Sequence, residues 1–423
     1  MFTHLHLHTE YSLLDATIRI PALISKLQES GMKACALTDH GNMYGVMKFK
    51  SAMKEAGLKP ILGCEIYIAP RDMSQKDFGI DNRYNHLVLL AKDLEGYRNL
   101  VKIVSIAHME GFYYRPRIDF KTLSKYTDGL IALSACLAGP ISRPLLESNY
   151  NQALENAKKY SELFKKNFFI EIQRNGMEEQ DIVNDGLLKI SKELNLPIVA
   201  TCDSHYLNKE DADIQEILWC IAEGKTWDDP TRRKMPTNEF YVKTPEEMKE
   251  LFKDIPEAIT NTQKVVDMIE EYDITFGRVE PKYIDLPKKE TSESYLRKLT
   301  LDGAKEKYGT ISKDLRERIE YELGIINDKM YNDYFLVVRD FVKFCRDNGI
   351  VVGMRGSGCG SVVAYCVDIT NLEPVGWELY FERFLNPERD SPPDFDIDIA
   401  DQRRDELLRS EEHTSELQSP NTI

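Results

Sequence analysis

At 423 residues the sequence is too long for one ordinary domain and predicts two or three. A content of 42% hydrophobic and 30% charged residues excludes a disordered or fibrous chain, and a formal net charge of −15 excludes an overall basic footprint for nucleic acid, so any such contact has to be local or bridged by cations. The polar N-terminus and the absence of a long apolar run predict neither signal peptide nor membrane span, and eight cysteines without a CxxC pair read as reduced thiols of a cytoplasmic protein.

Seven short apolar, β-branched runs occupy the first half: THLHLH at 3, KACALT at 33, KPILGCEIYIA at 59, HLVLLA at 86, GLIALSA at 129, FFIEIQ at 168 and LPIVATCD at 196. Amphipathic stretches such as IPALISKLQESG and DIVNDGLLKISKELN lie between them, and strands alternating with helices predict an α/β chain built on a β/α barrel. Reactive groups of such barrels gather where strands end. Here TDH closes the second run, GCE interrupts the third, SAC closes the fifth and TCDSH closes the seventh.

From about 206 to 285 the text is mixed and linker-like, with KTPEEMKELF a helix start and PKYIDLPKKETSES a boundary, so a first domain is placed at 1–285 and a second at 286–408. The second opens with helices over SYLRKLTLDGAKEKYG and LRERIEYELGIINDKM, followed by an aromatic helix through YFLVVRDFVKFCRDNG. From Arg409 the letters RSEEHTSELQS read as a translated sequencing adapter, and residues 409–423 are set aside as an artefactual tail that cuts the second domain short.

Apart from His413, every histidine lies at or before position 205, and on a strand His4, His6 and His8 share a face. One histidine alone is more often a hydrogen-bonded core residue than a ligand. Several placed with carboxylates at strand ends point to a metal centre of zinc, manganese or iron. The series HLHT, LLD, TDH, GCE, NHLVLLA, SAC and CDSH resembles the polymerase and histidinol phosphatase (PHP) family, whose distorted seven-stranded barrel holds three metal ions. The resemblance implies Zn2+ or Mn2+ bound by His6, His8, Asp15, His40, Glu65, His86, Cys136, Asp203 and His205. It also implies phosphoester hydrolysis, which in polymerase-linked members is 3′–5′ exonuclease trimming of DNA. His4 and His108 fall outside this set and are expected to be supporting residues.

In the second half, VVGMRGSGCGSVVAYCV sets a Gly- and Ser-rich loop before an apolar helix, an arrangement that brings backbone N–H groups and a helix N-terminus toward phosphate. It lacks the Lys of an ATPase P-loop. Downstream, Asp394, Asp396 and Asp398 alternate with Phe395, Ile397 and Ile399, which places the carboxylates on one strand face. A calcium loop is excluded, because Ile399 and Asp405 stand where Gly and Glu are needed.

Together RGSGCGS, LYFERFLNPER and PDFDID resemble the nucleotidyltransferase-type α/β palm of the bacterial family C replicative DNA polymerases. The resemblance implies that Asp394 and Asp396 are two of three catalytic carboxylates holding two Mg2+, and that Arg355, Gly356, Ser357 and Arg383 bind dNTP phosphates. Primer-template DNA is the implied substrate, and a sliding clamp, a clamp loader and a proofreading subunit are the implied partners of the full-length protein. The family's Pro-Gly before Arg-Gly-Ser is replaced by Gly353 and Met354, one residue short of that pattern, which is expected to alter a tight phosphate turn. With the third carboxylate, thumb and fingers missing, this chain is not expected to polymerise. A free-standing phosphoesterase is the alternative enzyme, but it leaves the second-half motifs unused. A barrel stapled by its metals and serving as a docking platform is the non-enzymatic alternative.

Overall fold

Six of the seven apolar runs of the first half become strands, β1 (Ala34–Leu37), β2 (Lys59–Ile68), β3 (Asn85–Ala91), β5 (Leu130–Leu133), β6 (Phe168–Gln173) and β7 (Ile198–Thr201), and a two-residue β4 (Arg117–Ile118) arises where no run was expected. The structure, a computed structural model, describes residues 2–274, 281–386, 388 and 393–409. The chain divides into two compact units, 1–274 and 275–423. In the first, a seven-stranded mixed sheet runs β1-β2-β3-β5-β6-β7, with β4 on β2. β1–β2, β5–β6 and β6–β7 pair in parallel, whereas β2–β3 and β3–β5 are antiparallel.

Residues 3–8, expected as a first strand, form only an isolated bridge between Leu7 and Ser204. Thr38 causes the interruption: its Oγ1 accepts from the Leu7 N–H (2.8 Å) and donates to the Leu7 carbonyl (3.0 Å), so a side chain replaces a rung of the ladder. The segment nevertheless joins the two ends of the sheet. Ala36 and Thr38 donate their N–H groups to the His4 and Leu7 carbonyls at 2.8 and 3.0 Å, and the His8 N–H reaches the Ser204 carbonyl at 2.9 Å.

Period-two alternation sorts strand residues into two cores. Leu37, Leu62, Leu87, Leu89, Ile170 and Ile172 pack outward against the helices, and Ala36, Ile61, Val88, Leu90, Leu133, Phe169 and Val199 pack together on the other face. Glu65, His86, Glu171 and Asp203 continue the parity of that second set, so one sheet face is apolar at one end and polar at the other. The stretch read as linker-like is largely built into this unit. Helices Ala212–Glu223, Pro245–Leu251 and Pro256–Met268 occupy it, with Thr244 and Glu247 forming a capping box. Met248, Phe252 and Ile259 enter the outer core while Val265, Val266 and Ile269 close the inner one.

In the second unit, helices Ser292–Tyr308, Lys313–Asp328, Asn332–Asp347 and Val362–Cys366 surround a core that includes Leu296, Ile319, Ile326, Phe335, Val363 and Phe384. Beside it β8 (Val352–Arg355) pairs antiparallel with β9 (Asp396–Ile399), Arg355 opposite Asp396. Among the described residues no helix is long and apolar enough to cross a membrane.

Arg117 is the largest fully buried side chain of the first unit. Its guanidinium donates to the carbonyls of Gly111 (3.1 Å), Asp81 (2.7 Å), Met73 (2.9 Å) and Gln75 (3.2 Å), which pins the 70–84 excursion against the turn at 111–116. Arg117→Met leaves these carbonyls without a donor, and an unsatisfied buried acceptor costs roughly 1–3 kcal/mol. The expected result is a loss of about 3 kcal/mol in urea unfolding, together with new proteolytic cleavage within 70–84. An unchanged midpoint and cleavage pattern would refute this anchoring role.

Candidate metal centre

The polar end of the sheet brings together side chains that are far apart in sequence. His6 Nε2 lies 3.1 Å from His8 Nε2, 3.3 Å from Glu65 Oε1 and 3.2 Å from Asp203 Oδ1. His40 Nδ1 lies 2.7 Å from Glu65 Oε2 and its Nε2 lies 3.3 Å from Asp15 Oδ2, while His86 Nδ1 reaches Glu65 Oε1 at 3.0 Å. Cys136 Sγ is 3.7 Å from His86 Nδ1, and His205 Nδ1 is 3.6 Å from Asp203 Oδ1. All nine positions singled out in the sequence therefore converge. Within them three sets have ligand atoms mutually within 4.8 Å: His6, His8 and Asp203; His8, His40 and His205; and His40, Glu65 and His86.

The unpaired atoms of this cluster test whether cations fit it. Glu65 Oε2, Asp203 Oδ1 and His40 Nδ1 are buried and lack a hydrogen-bond partner among the described residues, although each has an opposite neighbour at 2.7 to 3.1 Å. These neighbours are short imidazole–carboxylate pairs, in which bonding turns on the ring nitrogen that carries the proton. Buried acceptors facing inward without donors are costly, and a cation bound between them satisfies several at once. Imidazole, carboxylate and thiol donors in this mix suit zinc or manganese.

The protons of the metal-free cluster follow the same geometry. Burial works against a charge on His6, but Asp203, Glu171 and Glu65 around it overcome that and raise its pKa well above the usual imidazole range. Burial, reinforced by His40 and His205, pushes His8 down to about 3. Burial would raise Glu65, yet His86, His6 and His40 hold it well below the ordinary carboxylate range. One face of the cluster thus holds a proton that a metal would displace. Backbone strain marks the site as well: Asp203, Ala135 and Leu14, the last two immediately before Cys136 and Asp15, have φ of +51°, +63° and +59°.

Sequence reasoning missed the groups that hold these side chains in place. Glu171 accepts from His6 Nδ1 at 2.7 Å, and is itself bonded by Thr201 Oγ1 (2.5 Å) and Gln173 Nε2 (2.9 Å). This leaves His6 Nε2 as the free donor atom. A lone Glu within the apolar FFIEIQ run was its signal. Trp219 Nε1 donates to Asp15 Oδ1 at 2.7 Å, and Arg233 stacks 3.6 Å from the Trp219 ring; both come from the stretch read as linker-like, where nothing marked them. Their cleft, about 390 Å3, is also lined by Arg115, Tyr67, Tyr84 and Phe240. His4 and His108 stand outside the cluster, on the carbonyls of Lys243 and Gly41, both at 2.9 Å.

The second unit corrects two details of the sequence reading. The helix after the glycine loop does not offer its N-terminus to a phosphate. Glu322, fully buried, already accepts from Val362 N–H (3.1 Å), Val363 N–H (3.0 Å) and Ser361 Oγ (2.8 Å), and Arg318 neutralises it at 2.7 Å. Met354 does not sit in a tight turn but in β8, against the core of this unit; the turn falls at Gly356, φ +80°. This backbone conformation is one that glycine adopts freely; a Cβ there would lie 2.8 Å from Asp396 Oδ2, the movable end of a partly exposed side chain. Arg355, exposed, pairs with Asp396 at 3.3 Å and Asp398 at 3.4 Å. Asp394, Ser357 and Arg383 are separate from these contacts, and none of the three-ligand sets among the described residues includes Asp394 or Asp396.

If Glu171 orients His6 for metal binding, Glu171→Gln should weaken metal affinity by about 10- to 100-fold while the protein stays folded. Competition against a fluorescent chelator measures this, and wild-type affinity in the variant would rule the role out.

Residues 4–175 match the PHP domain family and residues 294–414 match the bacterial DNA polymerase III alpha NTPase domain family. Curated relatives cover 96% of this chain: the DNA polymerase III subunit alpha of Borreliella burgdorferi at 46% identity over 411 residues, and that of Treponema pallidum at 41% over 410. The same subunit of Aquifex aeolicus is 39% identical over 428 residues. The chain spans about a third of the length of these relatives, 35 to 37%. With both domain families matched and this similarity running through nearly all of its length, the chain belongs to the bacterial DNA polymerase III alpha family.

Proposed function

We propose that this chain supplies a metal-dependent phosphodiesterase and part of the palm of a replicative DNA polymerase, and that its own chemistry is removal of nucleotides from a DNA 3′ end. The observation that carries this reading is the convergence of three ligand sets around buried carboxylate and imidazole atoms that have no hydrogen-bond partner among the described residues. His6, His8, Asp15, His40, Glu65, His86, Cys136, Asp203 and His205 would hold up to three Zn2+ or Mn2+. Such ions, when bound, supply a water ionised near neutral pH and neutralise phosphate charge.

The chain's own residues position the reactants. Glu171 fixes the ring of His6, and Trp219 fixes one oxygen of Asp15 so that the other faces His40. Arg115 and Arg233 line the cleft and offer charge-assisted donors to the non-bridging phosphate oxygens. Tyr67, Tyr84 and Phe240 wall the cleft with low-polarity surface, which strengthens these attractions by limiting water.

In the whole polymerase, DNA primer-template and dNTPs would be the substrates, with Asp394 and Asp396 holding two Mg2+ and Arg355, Gly356, Ser357 and Arg383 at the triphosphate. Arg355 would have to leave Asp396 and Asp398 to take up that role. A sliding clamp, a clamp loader and a proofreading subunit would be its partners, and the cytoplasm its compartment. A second reading, metals as a staple for the barrel, is favoured by the spread of the ligands from His6 to His205, since tying such distant segments together stabilises the fold whether or not turnover occurs.

In Mn2+, the chain is expected to shorten 5′-labelled single-stranded DNA from its 3′ end, and Asp203→Ala to slow this by at least about 100-fold, beyond the loss expected for an outer partner of a ligand. Gel analysis of the products, with a chelator control, measures both. Equal trimming by wild type and variant would overturn the phosphodiesterase reading. Metal that raises the melting temperature without any trimming would select the staple.

A further inference from the structure

A second groove, about 190 Å3, opens beside the metal centre and shares Asp15, His40, Tyr67 and Arg115 with the cleft already described. Its outer wall carries Tyr44, Phe112 and Tyr114, which are 61, 50 and 60% exposed. Exposed rings are ordinary singly; three of them along one groove that ends at a cluster of metal ligands require an account.

These rings stand on a braced frame. Tyr114 occupies the tip of a tight turn closed by the Tyr113 N–H to the Arg115 carbonyl at 3.1 Å, and its φ of +59° is one that a bulky residue rarely adopts. The buried Arg117 guanidinium holds Gly111, where the turn begins. His108, expected from the sequence to be a supporting residue, bonds the Gly41 carbonyl and lies 6.4 Å from the Phe112 ring, so it ties this wall to the loop that carries His40. A strained backbone held in this way keeps an aromatic ring in water at a fixed place.

We propose that this groove receives the unpaired bases at the 3′ end of single-stranded DNA, stacked on Tyr44, Phe112 and Tyr114. The proposal rests on the phosphodiesterase reading, which supplies the identity of the strand. The charge pattern agrees with it: the groove's one guanidinium, Arg115, lies on the side shared with the metal centre, where it and bound metal ions would meet the phosphodiester, while Tyr44, Phe112 and Tyr114 offer aromatic faces. Stacking platforms next to a positive track are how proteins hold single strands without reading sequence. Bases already paired in a duplex keep their faces occupied, so the groove favours frayed over paired ends.

The test uses the full chain and an oligothymidylate with a 5′ fluorophore and 3′-terminal phosphorothioate linkages that resist hydrolysis. Its affinity in Mn2+, read by anisotropy, is compared with that of the same strand carrying abasic 3′-terminal nucleotides. Loss of the bases should weaken binding about fivefold or more. Tyr114→Ala and Phe112→Ala should weaken the intact strand similarly and add nothing to the abasic loss, and Tyr114→Trp should retain tight binding. Equal affinity for the two strands, or variants that weaken both alike, would overturn the proposal and leave the rings to a polypeptide contact. Hydrolysis of bis(p-nitrophenyl) phosphate by wild type is scored separately. Its absence would count against the phosphodiesterase reading, while the binding comparison still decides the groove.

Discussion

Glu65 and Asp203 are the pair on which the first unit depends. Both are buried, and two carboxylates cannot be taken out of water without compensating charge close by. The chain brings five imidazoles to them, from His6, His8, His40, His86 and His205. This requires β2, β3, the end of β7 and the N-terminal segment to end at one place. The sheet order does this, and the N-terminal segment, bonded to β1 on one side and to Ser204 on the other, is the piece that puts His6 and His8 between the carboxylates.

Imidazoles compensate these carboxylates poorly when they carry no proton. His6 is held protonated by its neighbours while His8 is driven neutral by burial and by the histidines beside it, so positive charge is unevenly spread and buried oxygens remain without donors. The apolar floor of Val88, Leu90, Leu133, Phe169 and Val199 below the cluster adds no polar partner. Cations bound among these oxygens would satisfy them and so couple folding to metal, and the left-handed backbone at Asp203 is a further cost that such binding would offset. The same coupling links the chemical and the staple readings, since both draw on one set of bonds.

Much of this was legible because the signals were periodic or clustered. Strand runs with turn residues between them gave β1, β2, β3 and β5 to β7 nearly at their observed bounds, and polar residues at strand ends gave the cluster. What stayed hidden depended on tertiary partners. Thr38 breaks a ladder that alternation alone predicts as a strand, and the three helices of 212–268 earn their place only by closing cores that the text does not display. Trp219 and Arg233 reach Asp15 from a segment two hundred residues away in the chain. Glu322 lies 39 or more residues before the helix end that it caps, so the loop reads as an open phosphate cradle until that carboxylate is seen in it.

The two units solve the same electrostatic problem in different ways, and the difference bears on how each could act. In the first, acidic groups are buried and faced by imidazoles, of which His6 is favoured as a cation and His8 as a neutral ring, in a centre that is assembled before any ligand arrives. In the second, Asp396 and Asp398 stand on an edge of a two-stranded sheet with water at hand and a flexible guanidinium, Arg355, as partner. Exposed pairs of that kind contribute little and separate readily. Gly356 lies beside the Asp396 carboxylate, and the nearby helix end is already capped by Glu322, so that helix's dipole is spent within the protein. The first centre is thus preorganised by burial. The second is held by exposed ion pairs, in which Arg355 covers Asp396 and Asp398 and can leave them at little cost.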